Sequence, residues 1–188
     1  MPVEPPITTA TGIYNFIDWF IYVIVAGIDL AVSRPAAIAV FRDCTPLYYG
    51  LAKTDEEIVS ATSVLGPSVV AIDAPLSMPE GGRWLRDVEV ELRRLGYKLL
   101  PPLMGPMRGL TERGIRLSRM FGGRVIEVHP LTSLRAMGMS RESLSRILGL
   151  RHRDLLDAVA AALTAAAYAK GLYREIGPFV LPTARVCF

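Results

Sequence analysis

Apolar positions along this chain form two kinds of segment. Short continuous runs rich in β-branched residues predict buried strands, and apolar residues spaced three or four apart predict helices that face a core. The strand pattern occurs at residues 23–30, 36–41, 47–51, 68–72 and 124–128. Short turns between the first three runs predict an antiparallel meander. The tail at 179–186 also has the pattern of a short last strand.

Helical spacing fills the segments between the later strands. The predicted helices cover residues 55–65, 83–95, 110–120, 131–137, 141–148 and 154–170. Thr54 is a good N-cap for the first of them, with Glu56 and Glu57 in its first turn. Three strands, then alternating helices and strands, predict an α/β fold. We expect a mixed five-stranded sheet, a three-strand meander followed by parallel strands, with helices on both faces.

The length and composition suit one domain. A chain of 188 residues with 51% hydrophobic content can bury a full core. We expect residues 1–20 to form an N-terminal extension, irregular at its proline-rich start, and residues 21–188 to form a single domain. The apolar stretch at 13–32 is interrupted by Asp18 and Asp29. Because a span needs about 20 apolar residues, no membrane segment is expected.

The two cysteines carry little information by themselves. Cys44 and Cys187 lie far apart and have no Cys-x-x-Cys spacing. This arrangement supports neither a disulfide framework nor a zinc site. We therefore expect a reducing compartment, the cytoplasm.

Acidic residues stand where the apolar segments end or begin. Asp29 follows the first predicted strand, Asp73 follows the fourth, and Asp154 and Asp157 open the Ala-rich last helix. Carboxylates at the ends of buried elements are costly unless they are paired, hydrogen-bonded or bound to a cation. Sites in α/β sheets gather beyond the carboxyl ends of strands. Together these acids indicate a divalent-metal site, and hence phosphate chemistry.

Each acid also has a local structural interpretation. Asp29 and Asp73 are typical turn residues after a strand. Asp154 suits an N-cap, with Asp157 in a capping-box position. Glu127 and His129 alternate on one predicted strand and so face the same side. They fit a metal ligand with an acid–base group, or equally a surface pair.

Basic residues are unevenly distributed. The net charge is +3, and 18 of the 21 basic residues are arginine. Residues 83–124 contain ten basic residues against four acids. Beside an acidic site, such a segment fits a polyanion, although solvated helix faces or compositional bias explain it too. The residues expected to contact a nucleic-acid backbone are Arg83, Arg86, Arg108 and Arg113.

Four motifs of this chain resemble those of the predicted RNase H-like nucleases. The motifs are GIDLA at 27–31, VAIDAPL at 70–76, EVHP at 127–130 and DAVAAALTA at 157–165. The resemblance runs from about residue 23 to the end of the chain. It implies an RNase H-like fold.

The segment DLLDAVA at 154–160 is also similar to the C-terminal motif of RuvC-type Holliday-junction resolvases. In those enzymes a strand-one Asp, an acid on the fourth strand and this helical pair hold two divalent metals. Carried over by position, the resemblance implies the ligands Asp29, Asp73, Asp154 and Asp157. The resolvases have Glu where this chain has the shorter Asp73.

These observations predict a metal-dependent nuclease that hydrolyses phosphodiester bonds with two Mg²⁺ or Mn²⁺ ions. The expected catalytic residues are Asp29, Asp73, Asp157 and His129. The expected metal ligands are Asp29, Asp73, Asp154, Asp157 and Glu127. The expected partner is DNA or RNA, no membrane is involved, and the oligomeric state is left open, a dimer included.

Two other functions fit the same fold. One is a non-catalytic nucleic-acid-binding module that uses the basic surface. The other is a nucleotide-binding relative of the actin-like and sugar-kinase group, whose members also begin with a strand-one Gly-Ile-Asp. The ATP site of that group needs two lobes, and 188 residues provide one.

Overall fold

The computed structural model describes residues 22–188, and the predicted extension at 1–20 lies outside the described residues. The strands are β1 (Ile24–Asp29), β2 (Ala36–Arg42), β3 (Thr45–Ala52), β4 (Val69–Ile72), β5 (Arg124–Glu127), β6 (Tyr173–Ile176) and β7 (Phe179–Pro182). The helices are α1 (Asp55–Ser63), α2 (Asp87–Arg94), α3 (Pro106–Ser118), α4 (Pro130–Ala136), α5 (Arg141–Leu148) and α6 (Arg153–Ala169). The predicted α/β class is confirmed.

All the described strands belong to one mixed sheet with the order β3-β2-β1-β4-β5-β7-β6. The meander β1-β2-β3 is antiparallel, and β4, β5 and β7 run parallel to β1. The sheet has two strands more than expected, because the C-terminal tail forms the hairpin β6-β7. β6 lies at the sheet edge and its two middle residues are exposed. It is therefore held mainly by backbone pairing, which leaves no apolar run to detect.

Two helices begin four residues away from their predicted starts, and α4 and α6 begin one residue earlier than predicted. α2 begins at Asp87 rather than at 83, because the Glu89 carboxylate accepts a hydrogen bond from the Arg86 backbone N–H, 2.8 Å away, and caps the helix. α3 begins earlier than predicted, at Pro106, directly after Gly105. Proline suits the first helical turn because its missing N–H has no partner there.

The sheet separates two hydrophobic cores. Val25, Val69 and Ala71 face the core that contains α6, whereas Ala26 and Ile28 face the other, which α1 and α3 cover. Successive residues of a strand point to opposite faces. By this alternation Asp29 lies on the α6 side of the sheet, two residues after Gly27.

Gly27 allows α6 to lie directly against β1. A Cβ atom at this position would be 2.1 Å from the Ala158 carbonyl oxygen and 2.2 Å from the Ala162 nitrogen. The small alanine side chains of α6 keep its surface close to its backbone, and every residue from 156 to 167 is buried. This close approach brings the first turn of α6 to the end of β1.

The cysteines are bonded to each other, so the expectation that no disulfide would form is wrong. Cys44 in the β2–β3 turn and Cys187 in the C-terminal tail form a disulfide with 5.5 Å between their Cα atoms. The pair is 143 residues apart, so only the fold brings them together. Closing so long a loop restricts the unfolded chain, which is one way a disulfide stabilises a protein.

Residues 22–188 contain no candidate for a membrane span. Within that range, no helix combines the length and the apolar character needed to cross a bilayer.

Candidate active site

Arg34 joins the end of β1 to the first turn of α6. Its Nη2 donates to Asp29 Oδ2 at 3.0 Å, and its Nη1 lies 2.8 Å from Asp154 Oδ2. Asp29 is the last residue of β1 and is only 4% exposed. Two of the predicted ligands therefore share one guanidinium.

A second arginine holds the other acid of α6. Arg141, the first residue of α5, donates from Nε and Nη2 to the two carboxylate oxygens of Asp157, both at 2.6 Å. Such a bidentate pair is among the stronger charge-assisted contacts. Asp157 is buried against the sheet.

Asp73 lies beside these pairs without a partner of its own. Its backbone N–H donates to the Ile28 carbonyl at 2.9 Å, which places it next to the end of β1. Within residues 22–188 its carboxylate makes no hydrogen bond or ion pair that meets the usual distance limits. Burial raises the pKa of Asp73 well above its ordinary value, and the Asp29 and Asp157 carboxylates raise it further.

Asp29 is perturbed in the same direction. Burial raises its pKa from 3.8 to about 6, although Arg34 lowers it, and the Asp157 and Asp154 carboxylates add to the increase. These carboxylates raise one another's pKa, so the acids of β1, of α6 and of the residue after β4 lie close together. The structure therefore brings Asp29, Asp73, Asp154 and Asp157 to one edge of the sheet.

The chemistry of this cluster suits a divalent cation, because carboxylate oxygens are the ligands that Mg²⁺ and Mn²⁺ prefer. Among the residues that the structure describes, no three Asp, Glu, His or Cys side chains are arranged to hold a metal ion. Guanidinium groups instead pair with Asp29, Asp154 and Asp157. A bound ion would have to share these carboxylates with the arginines or displace them.

His129 lies at the edge of the cluster. Its Nδ1 is 2.8 Å from Thr132 Oγ1. Burial lowers the pKa of His129, Asp157 opposes this effect, and Arg141 lowers the pKa slightly more. The imidazole is therefore neutral near pH 7, the form that accepts a proton.

Glu127 lies in a buried ion network rather than among metal ligands. It is 2% exposed, and its oxygens accept from Arg86 Nη1 at 2.7 Å, Arg86 Nη2 at 2.6 Å and the Leu76 N–H at 2.7 Å. Arg86 also binds the buried Glu89. Glu127 therefore already has strong partners, and Arg86 is buried with them. Whether Glu127 binds metal and whether Arg86 contacts phosphate stays a prediction.

The other three predicted phosphate contacts differ in position. Arg83 and Arg108 are exposed, each paired with an acid one turn later in its segment. Arg113 is largely buried, where it binds Asp55 and donates to the Ala31 carbonyl. Arg83 and Arg108 therefore remain candidates, while Arg113 connects α3 to the loop after β1.

Arg34 and Arg141 are site residues that the sequence did not indicate. Arg34 belongs to a Ser-Arg-Pro turn, and Arg141 occupies an ordinary first-turn helix position. Their role depends on tertiary neighbours that are 5 to 120 positions away. The only signal in the sequence is the general excess of arginine.

The raised pKa of Asp29 predicts how the stability of the metal-free protein depends on pH. The folded state disfavours the ionised form of Asp29. The contribution of Asp29 to the free energy of unfolding is therefore most favourable below pH 3.8, and it is lost as the pH rises through about 6. Asp29→Asn removes this loss. We expect the variant to be more stable than wild type at pH 7 by about 1–3 kcal/mol, and to gain less at pH 4.5.

Urea unfolding in EDTA at the two pH values measures this difference. Asp87→Asn, at an 87% exposed side chain, is the control and should follow wild type. Identical pH dependence of wild type and Asp29→Asn would contradict the prediction.

No protein-family model matches the sequence, and no curated protein matches it. Solved structures do match. The chain is similar to RuvC of Thermus thermophilus in complex with Holliday junction substrate, with 20% identity, a TM-score of 0.51, and coverage of 80% of this chain and 96% of RuvC. A second Thermus thermophilus RuvC structure gives 17% identity, a TM-score of 0.52 and coverage of 85% and 99%. The predicted resemblance is thus confirmed at the level of architecture: the chain has the RNase H-like fold of the RuvC Holliday-junction resolvases.

Proposed function

We propose that the protein is a nuclease that hydrolyses phosphodiester bonds of nucleic acid, with Mg²⁺ or Mn²⁺ held by Asp29, Asp73, Asp154 and Asp157. The observation that carries the proposal is the excess of negative charge at the carboxyl ends of β1 and β4. Two of these carboxylates keep raised pKa values although two arginines are already present. Asp73 in particular forms no ion pair within the described chain, although Arg141 is close enough to lower its pKa.

Divalent ions bound there would supply charge for the phosphate and lower the pKa of a coordinated water. The residues of the chain have distinct tasks. The four aspartates hold the ions. Arg34 and Arg141 neutralise the acids before binding and lie where released guanidiniums reach phosphate oxygens. His129, with Nδ1 engaged by Thr132, keeps Nε2 free to exchange a proton with water or with the leaving oxygen.

The first substrates to test are nucleic acids of different structure. Similarity to a RuvC whose solved structure is a complex with Holliday junction substrate makes branched DNA one of them. Of the four arginines expected to contact phosphate, Arg83 and Arg108 are exposed, each in a surface ion pair that a phosphate of a nucleic-acid backbone can replace.

The test combines metal binding with cleavage. Wild type is titrated with Mn²⁺ in a calorimeter and assayed on single-stranded, duplex and branched DNA and on RNA. Asp73→Asn should weaken Mn²⁺ binding and lower the cleavage rate by about 10²–10³-fold, because it removes one oxygen ligand. The exposed Asp87→Asn should match wild type. A wild type that neither binds Mn²⁺ nor cleaves any of these substrates overturns the proposal.

A specific observation favours a second candidate, a nucleic-acid-binding module without catalysis. Three of the four aspartates already have arginine partners. If these pairs are permanent, nucleic acid binds equally well with and without Mn²⁺, and the effect of Asp73→Asn on binding and on stability is the same with and without the metal. The same titrations therefore separate the two candidates.

The proposal places the protein with its substrate in the cytoplasm. The disulfide between Cys44 and Cys187 does not support this location, because such bonds are rare in a reducing cytoplasm. Detection of the disulfide after cell lysis in the presence of a thiol-blocking reagent tests whether it exists there.

A further inference from the structure

A cavity of about 180 Å³ opens beside Asp73, one of the four aspartates. Its apolar walls are Pro75, Leu99, Leu100, Met107, Leu110 and Val128, and we call it the Met107 cavity. Asp73 and His129 also line it, so it is continuous with the proposed active site. A nucleic acid whose phosphate lay on the aspartates would have a neighbouring base within reach of this cavity.

The size and the walls of the Met107 cavity suit a flat heterocycle. The volume equals about six water molecules of the liquid, enough for one base and too small for a sugar and phosphate as well. Flat apolar surfaces of leucine, methionine and proline are the kind that enclose an unstacked base.

The polar end of the cavity determines which base fits. Glu89 and Glu127 line it, both almost fully buried, and Arg86 is the cation that pairs with them. Two carboxylates against one guanidinium leave an excess of negative charge. Ionised carboxylates only accept hydrogen bonds, so a ligand at this end must donate.

Glu127 keeps capacity for such a donor. Its Oε1 accepts one hydrogen bond within the described chain, from Arg86 Nη2. A carboxylate oxygen has two lone-pair positions, so one stays open on this atom. Carboxylates recognise cytosine through its exocyclic N4 amino group, whereas uracil and thymine present an oxygen at the same position.

We propose that the Met107 cavity binds an unpaired nucleobase next to the scissile phosphate, and that it prefers cytosine to uracil or thymine. The inference rests on the proposed function and adds the class of nucleotide that the site recognises. It also requires the base to leave the stack, which costs least in single strands and at junctions.

The test uses free nucleosides, which carry no phosphate and need no metal. Methyl resonances of wild type are followed by NMR during titration with cytidine and with uridine in EDTA. Cytidine should shift the methyl signals of Met107, Leu99 and Leu110 and saturate, and uridine should bind at least about tenfold more weakly. The two leucines remain as reporters when Met107 is replaced. Because this readout requires no cleavage, it can succeed or fail independently of the nuclease proposal.

Two methionine variants give a matched comparison. Met107→Trp fills the cavity and should abolish the cytidine response while ¹H spectra show a folded protein. Met104→Trp places the same side chain at an exposed position one turn earlier, outside the cavity lining, and should leave the response intact. Equal binding of the two nucleosides, no binding of either, or a cytidine response that survives Met107→Trp overturns the inference.

Discussion

Gly27→Ala is expected to lose most of the proposed nuclease activity and part of the stability of the protein. The new Cβ would lie 2.1 Å from the Ala158 oxygen and 2.2 Å from the Ala162 nitrogen. Both are backbone atoms, so no side-chain rotation relieves the contact and α6 itself must move away from β1. A shift of about 1 Å between reacting groups can cost about 10²-fold in rate. Overpacking of this kind also costs about 1–3 kcal/mol in the free energy of unfolding.

The same shift should weaken Mn²⁺ binding, because Asp157 is carried by α6 and Asp29 by β1. Cleavage assays, Mn²⁺ calorimetry and urea unfolding measure the three effects. Gly122→Ala is the matched control: its backbone φ is not positive and no atom lies within 4 Å of the added Cβ. We expect it to stay within about 0.5 kcal/mol of wild type. A folded Gly27→Ala protein with wild-type activity would contradict this prediction.

Arg86→Met is expected to give the largest loss of stability. Arg86 holds Glu89 and Glu127 in the interior, and all three side chains are at most 5% exposed. Removing one partner of a buried ion pair costs about 3–5 kcal/mol, since it leaves uncompensated charge in a site of low polarity. Methionine matches only the stem of arginine up to Nε, so the loss combines the removed charge with the space that the guanidinium leaves.

The pH dependence of this variant provides a second test. Burial already raises the pKa of Glu127 although Arg86 lowers it. Without Arg86 the pKa rises further, so the ionised form is disfavoured more in the folded state. The destabilisation should therefore be larger at pH 7 than at pH 5. Arg83→Met, at a 53% exposed side chain with an exposed partner, should change stability by less than about 0.5 kcal/mol. Equal urea midpoints for Arg86→Met and Arg83→Met at pH 7 would contradict the prediction that the buried ion pairs of Arg86 stabilise the protein.

The sequence predicted the central sheet because β1, β2 and β4 are buried on both faces and read as continuous apolar runs. It did not indicate β6, whose sequence Tyr-Arg-Glu-Ile is held at an edge by backbone pairing. The local pattern of apolar residues indicates which residues are buried, and an edge strand buries few of its residues. The same reason explains the shifted start of α2, which depends on a cap rather than on an apolar face.

The candidate site was predictable where a single residue breaks an apolar run, as Asp29 and Asp73 do. It was not predictable where a partner decides the role of a residue. Glu127 shares a strand side with His129 in the sequence, but Arg86, 41 positions earlier, engages it. Whether Asp29, Asp73, Asp154 and Asp157 bind metal, and whether His129 exchanges protons, stays a prediction.

The disulfide between Cys44 and Cys187 turns most of the chain into a covalent ring. A protease that cuts one loop inside the ring opens it without releasing a fragment, so the nicked protein keeps its full mass until a reductant is added. The segment before Cys44 is the exception. It carries β1 with Asp29, which is therefore the one aspartate of the cluster joined to the other three through a single stretch of chain.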